Sequence, residues 1–187
     1  MDQTRPPSDA ALSDAALSEL ADRLARADYS VDAVADRLGP DGQAGLGRNT
    51  TVAVRDALGA DCDAQASLVR LWLLHDEVDA ADAERALGPL GDHIAAGLLE
   101  RDGDVVRAGV EIRPYATDDG LAGWICHDLN PGLDGRVAPV RPDFVLGASP
   151  ASTTLAQISV RTPVAAALDL FARQGFDATS VEQIAQA

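Results

Sequence analysis

Apolar residues recur at helical spacing through the first half of the chain. Leu17, Leu20, Ala21 and Leu24 follow the i, i+3, i+4, i+7 pattern of an amphipathic helix, and Ser13 stands at its N-cap position. The same pattern predicts a second helix over residues 29–38, capped by Ser30, and a third over residues 50–58, closed by Gly59. Gly39-Pro40 is predicted to end the second helix.

The most apolar stretch, residues 64–75, predicts the central helix of the domain. One face is shared by Leu68, Leu71, Trp72 and His75, and Val69 and Leu73 widen it. A helix that is apolar on most sides is buried. Trp72 is therefore predicted to be a core aromatic residue rather than a platform on which a ligand stacks.

The pattern then changes from helices to strands. Residues 80–87 predict a helix capped by Asp79, and residues 92–96 begin another. Residues 98–101 and 105–112 predict a hairpin around Asp102-Gly103, a strong turn signal. Residues 111–115 and 123–127 flank a turn-rich connection and predict a small antiparallel sheet that extends this wing.

Three helices followed by a hairpin give the order of a winged helix. The predicted fold class is α+β, mainly helical, with a winged-helix-like N-terminal domain, small β-hairpins and the truncated start of a second domain. The predicted divisions are a disordered tail over residues 1–11, the winged-helix-like domain over 12–136, a linker and helix over 137–163, and a truncated segment over 164–187. The loop at residues 130–135 is interpreted as a linker.

Composition and charge exclude several function classes. The 187 residues are 47% hydrophobic, and the net charge of −15 would repel a nucleic acid, so nucleic acid is not an expected partner. No apolar run approaches the 18 residues of a membrane span, and Cys62 and Cys126 form no CxxC motif. A cytoplasmic protein with reduced thiols is predicted.

The three histidines are not arranged as metal ligands in the sequence. His75, His93 and His127 have no i, i+4 pair and no Glu-x-x-His motif among them. Each is predicted to be a neutral, hydrogen-bonded histidine, and no metal site is assigned.

Seven short stretches, in order, carry a resemblance to a known family. They are SLVRLWLL (67–74), AGLLER (96–101), RPYA (113–116), DLNPGLDGR (128–136), RPDFVLG (141–147), ASTTLAQ (151–157) and ALDL (167–170). Residues 27–170 thereby resemble the N-terminal region of bacterial HemK-like class I S-adenosylmethionine-dependent methyltransferases. In that family, a helical winged-helix-like region precedes the catalytic domain.

The resemblance implies candidate cofactor residues. Arg141, Pro142 and Asp143 match an element that shapes the S-adenosylmethionine pocket in the family, and Thr153 and Asp169 are the further candidates. The alternative is that Arg141 and Asp143 form a surface ion pair and that Ser152 caps a helix over residues 153–160.

The family's cofactor loop and catalytic motif do not follow. After ALDL (167–170) there is no glycine-rich turn, and the sequence has no Asn-Pro-Pro-aromatic motif. The resemblance therefore implies an accessory, substrate-positioning region that is inactive alone, binds no S-adenosylmethionine by itself, and has a protein partner or a second copy as its partner. No catalytic residue is assigned.

The last residues carry a second resemblance. Phe171, Gly175, Phe176, Thr179, Ile184 and Ala185 stand where residues 165–187 are similar to the first two helices of a TetR-type regulator. The alternative functions are a fragment of a TetR-like regulator or a dimerisation module. The two resemblances meet at residues 165–170, and three origins of this join stay open: a natural fusion, a truncation or a frame error. Residues 164–174 are predicted to be helical, although the methyltransferase family would make residues 164–170 a strand.

Overall fold

The computed structural model describes residues 12–117, 120–136, 139–148, 152 and 154–155. Within them the chain forms six helices and five strands, so the fold is α+β and mainly helical, as predicted. The chain divides into two units, Met1–Gly147 and Ala148–Ala187, and the sheets and helices given below belong to the first. The predictions for residues 1–11 and 164–187 lie outside the described residues, and the predicted domain boundaries stay a prediction.

Serine caps begin the first two helices as predicted. Helix α1 (Asp14–Arg26) starts where the Ser13 hydroxyl accepts a hydrogen bond from the Ala16 amide at 3.2 Å. Leu20 and Leu24 are buried, but Leu17 is 50% exposed, so the predicted apolar face is wrong at that position. The buried face of α1 begins one turn after Leu17.

Helix α2 (Val31–Gly47) contains a break at the position where the sequence predicted the end of the second helix. Ser30 caps it, and Gly39 adopts φ +63° and ψ −179°, which interrupts the helical backbone. The helix nevertheless resumes at Pro40, because proline lacks only a donor that the first turn of a helix leaves unused. The first helical segment therefore ends at Gly39-Pro40 as predicted, and the segment that follows it was not predicted. The resumed turn packs on α3 (Val52–Leu58), which Gly59 closes as predicted.

We expect Gly39→Ala to destabilise the protein by about 1–3 kcal/mol, because its backbone conformation is open almost only to glycine. A Cβ atom at Gly39 would meet no atom within 4 Å, so the cost is strain and not a clash. Gly47→Ala is the matched control: it also points into open space but has no positive φ, and we expect no loss. Urea denaturation followed by circular dichroism measures both variants, and equal midpoints would contradict the prediction.

Helix α4 (Ala64–Trp72) is the centre of the core. The Asp63 carboxylate caps it, and Trp72 is 1% exposed with its ring centroid 5.8 Å from that of Tyr29, which confirms the core role predicted for Trp72. The helix ends three residues before the predicted His75. His75 has φ +55°, a left-handed conformation that cannot continue a right-handed helix.

A short strand, two helices and a hairpin follow. Strand β1 (Val78–Asp79) leads into α5 (Ala80–Leu87) and α6 (Gly91–Ala95), and the hairpin of β2 (Leu99–Asp102) and β3 (Val105–Ala108) follows. The three strands form an antiparallel sheet in the order β1-β3-β2, with Val78 opposite Val106 and Leu99 opposite Ala108. The sheet buries Val78, Leu99 and Val106 against the helices.

A second hairpin forms a sheet of its own. Strands β4 (Glu111–Ala116) and β5 (Ala122–His127) pair only with each other among the described strands. The prediction that this hairpin extends the wing is wrong, because the chain bends between Ala108 and Glu111. Tyr29 holds the hairpin on the helices: its hydroxyl donates to the Ile112 carbonyl at 2.9 Å, and its own carbonyl accepts from Trp124 Nε1 at 2.7 Å.

Candidate functional site

A cleft of about 770 Å³ opens where three loops of the first unit meet. One wall is the turn after α4 with the end of β3, and the other is the chain after β5. The apolar lining includes Leu74, Leu129 and Phe144, and His75 lies beside them. This lining can contact an apolar group and a polar group of one ligand at the same time.

The charges of the cleft balance one another. Its lining holds four arginines and four acids: Arg55, Arg107, Arg136, Arg141, Asp76, Glu100, Asp128 and Asp134. Arg55 pairs with Asp76, and Arg141 Nη2 lies 3.3 Å from Asp128 Oδ1. The cleft is therefore close to neutral on a chain with a net charge of −15. Its described lining residues include no serine, threonine or cysteine.

Next to the cleft, the Glu111 side chain is almost fully buried. It is 1% exposed at the first position of β4, where His75 Nε2 lies 3.2 Å from its Oε2 atom. Arg113 Nε lies 2.8 Å from Oε1, and His127 Nε2 lies 3.9 Å from the same oxygen. One buried carboxylate thus joins the turn after α4, strand β4 and the end of β5.

The surroundings of Glu111 keep it ionised. Burial acts to raise the pKa of the Glu111 carboxyl, but the hydrogen bond from His75 and the charges of Arg113 and the two histidines outweigh it. The pKa of Glu111 therefore lies below its ordinary value. The negative charge is retained inside the protein because three partners converge on it.

His127 lies between Glu111 and a segment that we call the strap, residues 139–147. Its Nδ1 atom is 2.8 Å from the Asp128 carbonyl oxygen. Asp128 in turn accepts a hydrogen bond from the Val145 amide at 2.7 Å and donates its own amide to the Val145 carbonyl at 3.2 Å. A Cβ atom on Gly147 would lie 2.4 Å from His127 Nε2, so glycine alone allows this approach.

The structure places three of the predicted cofactor residues on the strap. Arg141, Pro142 and Asp143 are exposed there, and Arg141 Nε lies 3.2 Å from Asp143 Oδ1. This is the surface ion pair that the sequence left open as the alternative. Thr153 and Asp169 lie outside the described residues, and the assignment of all five to a cofactor stays a prediction.

The loop interpreted as a linker is attached to the helical body. Asn130 Nδ2 donates to Asn49 Oδ1 at 2.9 Å, and the Asp134 carboxylate accepts from the Thr51 amide at 2.7 Å and from the Thr51 hydroxyl at 2.5 Å. These hydrogen bonds from Thr51 hold the pKa of Asp134 below its ordinary value. The loop is thereby a fixed wall of the cleft.

The histidines differ in their surroundings. His75 and His127 both contact Glu111, whereas His93 is buried on α6 and its Nδ1 has no hydrogen-bond partner in the described part of the chain. Over the same described ranges, no group of three or more histidine, cysteine, aspartate or glutamate side chains is arranged to hold a metal ion.

The sequence did not identify Glu111 as part of a site. Its two histidine partners are 36 residues before it and 16 residues after it, and no local motif connects them. One signal was present. Strand alternation puts Glu111 on the same face as Arg113, and an acid between the apolar Val110 and Ile112 at a strand start indicates a buried charge that needs a partner.

A family model described as a domain of unknown function (DUF7059) matches residues 26–109. The match covers less than half of the chain and runs from the end of α1 to just after β3, so it includes His75 but not Glu111, His127 or the strap. No curated protein and no solved structure matches the chain. Among the described residues, no helix combines the length and apolar character needed to cross a bilayer.

Proposed function

We propose that residues 12–147 are an accessory, substrate-positioning region of an S-adenosylmethionine-dependent methyltransferase. The observation that carries the proposal is the attachment of the strap to the body. The strap contains RPDFVLG (141–147), the stretch that leads toward the cofactor strand in the family that the sequence resembles. Asp128 holds it on the body through Val145 and Arg141.

The cleft beside the strap is the surface that would receive the substrate. Accessory binding energy contributes to a transfer reaction by holding the acceptor group in line with the donor. S-adenosylmethionine would supply the methyl group in the complete enzyme. The described residues are not proposed to hold it, because Arg141 is exposed and pairs with both Asp143 and Asp128. Their role in the proposal is to position the acceptor, in the cytoplasm, with a protein partner or a second copy.

Charge argues against a DNA-binding regulator as the alternative. Helix α6, which precedes the hairpin, has the sequence GDHIA and no basic residue other than histidine. On the hairpin, Arg107 is paired with Glu77 and Asp102, and Arg101 lies 3.8 Å from Glu84. A protein that reads DNA presents unpaired arginines or lysines there. These pairs leave little positive charge for phosphates.

The first experiment is to sequence the source transcript across codon 170 and past codon 187. We expect a reading in which a glycine-rich turn follows Leu170. The protein translated from that longer reading should bind S-adenosylmethionine in a calorimetric titration, whereas the present 187 residues should give no heat of binding. Asp169→Ala in the longer protein should weaken the binding. A continuation into a basic helix together with a gel shift of duplex DNA at low salt would contradict the proposal and favour the regulator.

A further inference from the structure

We propose that the cleft binds an uncharged ligand group that combines an apolar body with one N–H or O–H donor, and that His75 Nδ1 is the atom that accepts this hydrogen bond. Buried Glu111 is the positioning residue, because it determines which ring nitrogen of His75 carries the proton. This inference deepens the proposed function and rests on it in one respect: the cleft is taken as the place where the methyl acceptor lies.

The contact with Glu111 determines the tautomer of a neutral His75 ring. His75 Nε2 lies 3.2 Å from Glu111 Oε2, within hydrogen-bond distance. Despite burial, the hydrogen bond from His75 and the charge of Arg113 hold the pKa of Glu111 below its ordinary value, so the carboxyl is ionised. A carboxylate only accepts hydrogen bonds, and Nε2 therefore carries the proton. In the neutral ring, Nδ1 has a free lone pair and can only accept.

The Nδ1 atom of His75 is available to a ligand. His75 belongs to the lining of the cleft, and its side chain is 16% exposed. In the described part of the chain Nδ1 has no hydrogen-bond partner, and it is not one of the fully buried polar atoms that lack a partner there, as His93 Nδ1 is. Because Glu111 occupies Nε2, a ligand in the cleft meets Nδ1.

The backbone conformation of His75 also points to a binding role. His75 has φ +55°, a left-handed conformation that glycine adopts at lower cost. Of the three other described non-glycine residues with positive φ, two belong to the cleft: Asp134 lines it, and Asn49 accepts a hydrogen bond from the Asp134 amide at 2.7 Å. Residues held in such conformations cluster at functional sites, where the surrounding structure maintains them. The cleft has this property on both of its walls.

Half-buried apolar side chains of the cleft define the body of the ligand. Leu129 and Leu133 come from the chain after β5, and Phe144 comes from the strap, where its amide donates to the Arg141 carbonyl at 3.2 Å. The protein covers these side chains only in part, so a ligand that covers them removes further apolar surface from water. An aromatic ligand can in addition stack on the Phe144 ring.

The charged side chains of the cleft favour an uncharged ligand. Three of its four arginines are in ion pairs: Arg55 with Asp76, Arg107 with Glu77 and Asp102, and Arg141 with Asp128. The fourth, Arg136, acts through its charge on the Asp134 carboxyl. Because these charges nearly cancel, the cleft presents no excess of either sign to an ionic ligand.

Indole and 1-methylindole test the assignment, because both have an apolar ring but only indole has an N–H group. Their dissociation constants are measured by NMR titration of the 187-residue protein at about pH 8, where an ordinary histidine is neutral. In His75→Gln, the preference for indole over 1-methylindole should fall by about two- to tenfold, the fold-change of one net hydrogen bond. The glutamine amide can still donate to Glu111. His93→Gln is the matched control, since His93 is not among the described lining residues, and its preference should equal that of the unmodified protein.

The nitrogen-15 chemical shifts of the His75 ring give a second measurement, which needs no variant. We expect the neutral tautomer with its proton on Nε2, and an Nδ1 signal that moves on addition of indole but not of 1-methylindole. In Glu111→Gln, whose amide can also donate, part of the population should move its proton to Nδ1. This response assigns the tautomer to Glu111, and a merely structural contact would not produce it.

Three results would overturn the proposal. They are a proton on Nδ1 in the unmodified protein at about pH 8, no saturable change at Phe144 up to the solubility limit of indole, and an unchanged preference in His75→Gln. These results are separate from the titration with S-adenosylmethionine. A longer protein that binds S-adenosylmethionine while the cleft fails to distinguish the two indoles would keep the proposed function and remove the role of His75. A longer protein that does not bind S-adenosylmethionine would remove the proposed function and leave the preference for indole in place.

Discussion

Replacing Trp72 with alanine should lower the free energy of unfolding by about 3–5 kcal/mol, the cost of emptying a large aromatic site in a packed core. Trp72 is 1% exposed at the end of α4, and its ring lies against Tyr29. Tyr29 connects the helices to the second hairpin through its hydrogen bonds with Ile112 and Trp124. The cavity would therefore weaken two parts of the core together. Denaturation with urea, followed by far-ultraviolet circular dichroism, measures the loss.

Trp72→Phe separates the loss of packing from the loss of the indole N–H group. The Nε1 atom of Trp72 is buried without a hydrogen-bond partner among the described residues, so phenylalanine removes an unsatisfied donor while it keeps an aromatic ring. We expect a cost below about 2 kcal/mol for this variant. Val52→Ala, at an exposed position of α3, should have almost no effect. If Trp72→Ala were as harmless as Val52→Ala, the core would not be organised around Trp72.

The helical half of the fold was predictable because its signals are local. Ser13 and Ser30 mark helix starts within one turn of the residues they cap, and Gly59 marks an end in the same way. Gly39-Pro40 shows the limit of such signals. Glycine followed by proline ends one helix and can equally begin the next, and only the packing on α3 decides that the second helix forms.

The point at which one strand ends and the next begins was harder to predict from the sequence. The Asp102-Gly103 turn fixes the first hairpin, but residues 105–112 read as one continuous strand in the sequence. In the structure β3 ends at Ala108 and β4 begins at Glu111 in a different sheet. What separates them is the set of partners of each strand, which is β1 and β2 for β3 but β5 for β4. Hydrophobic spacing does not encode which strands pair with each other.

The candidate site was predictable only in part. The sequence singled out the strap through RPDFVLG (141–147) but assigned its residues by resemblance, without the body residues that hold it. It also considered His75 and His127 one at a time, as metal ligands or as ordinary core histidines. Their common partner is Glu111, and that relation exists only after β4 and β5 pair and bring His127 opposite Glu111.

Glu111→Gln should destabilise the protein by about 3 kcal/mol at neutral pH, the lower end of the cost of removing one partner from a buried ion pair. The amide keeps the volume of the carboxyl but leaves Arg113 without its counter-charge and replaces the oxygen that faces His75 or the one that faces Arg113 with an NH2 group. The lower end of this cost applies because the Arg113 side chain is partly exposed and solvent can hydrate it when the carboxylate is removed. Glu77→Gln makes the same change in an exposed ion pair with Arg107 and should have little effect.

The dependence on pH distinguishes a charge effect from a packing effect. The pKa of Glu111 in the folded protein lies below its ordinary value of 4.5, despite the opposing effect of burial, because His75 and Arg113 favour the ionised form. Its contribution to stability is therefore fully present above that ordinary value and is lost as the pH falls through the folded pKa. The difference in unfolding free energy between the unmodified protein and Glu111→Gln should be constant between about pH 5 and 7 and narrow below about 4.5. A difference that stays constant into acid, or grows there, would mean that the carboxylate charge is not what holds β4, β5 and the turn after α4 together.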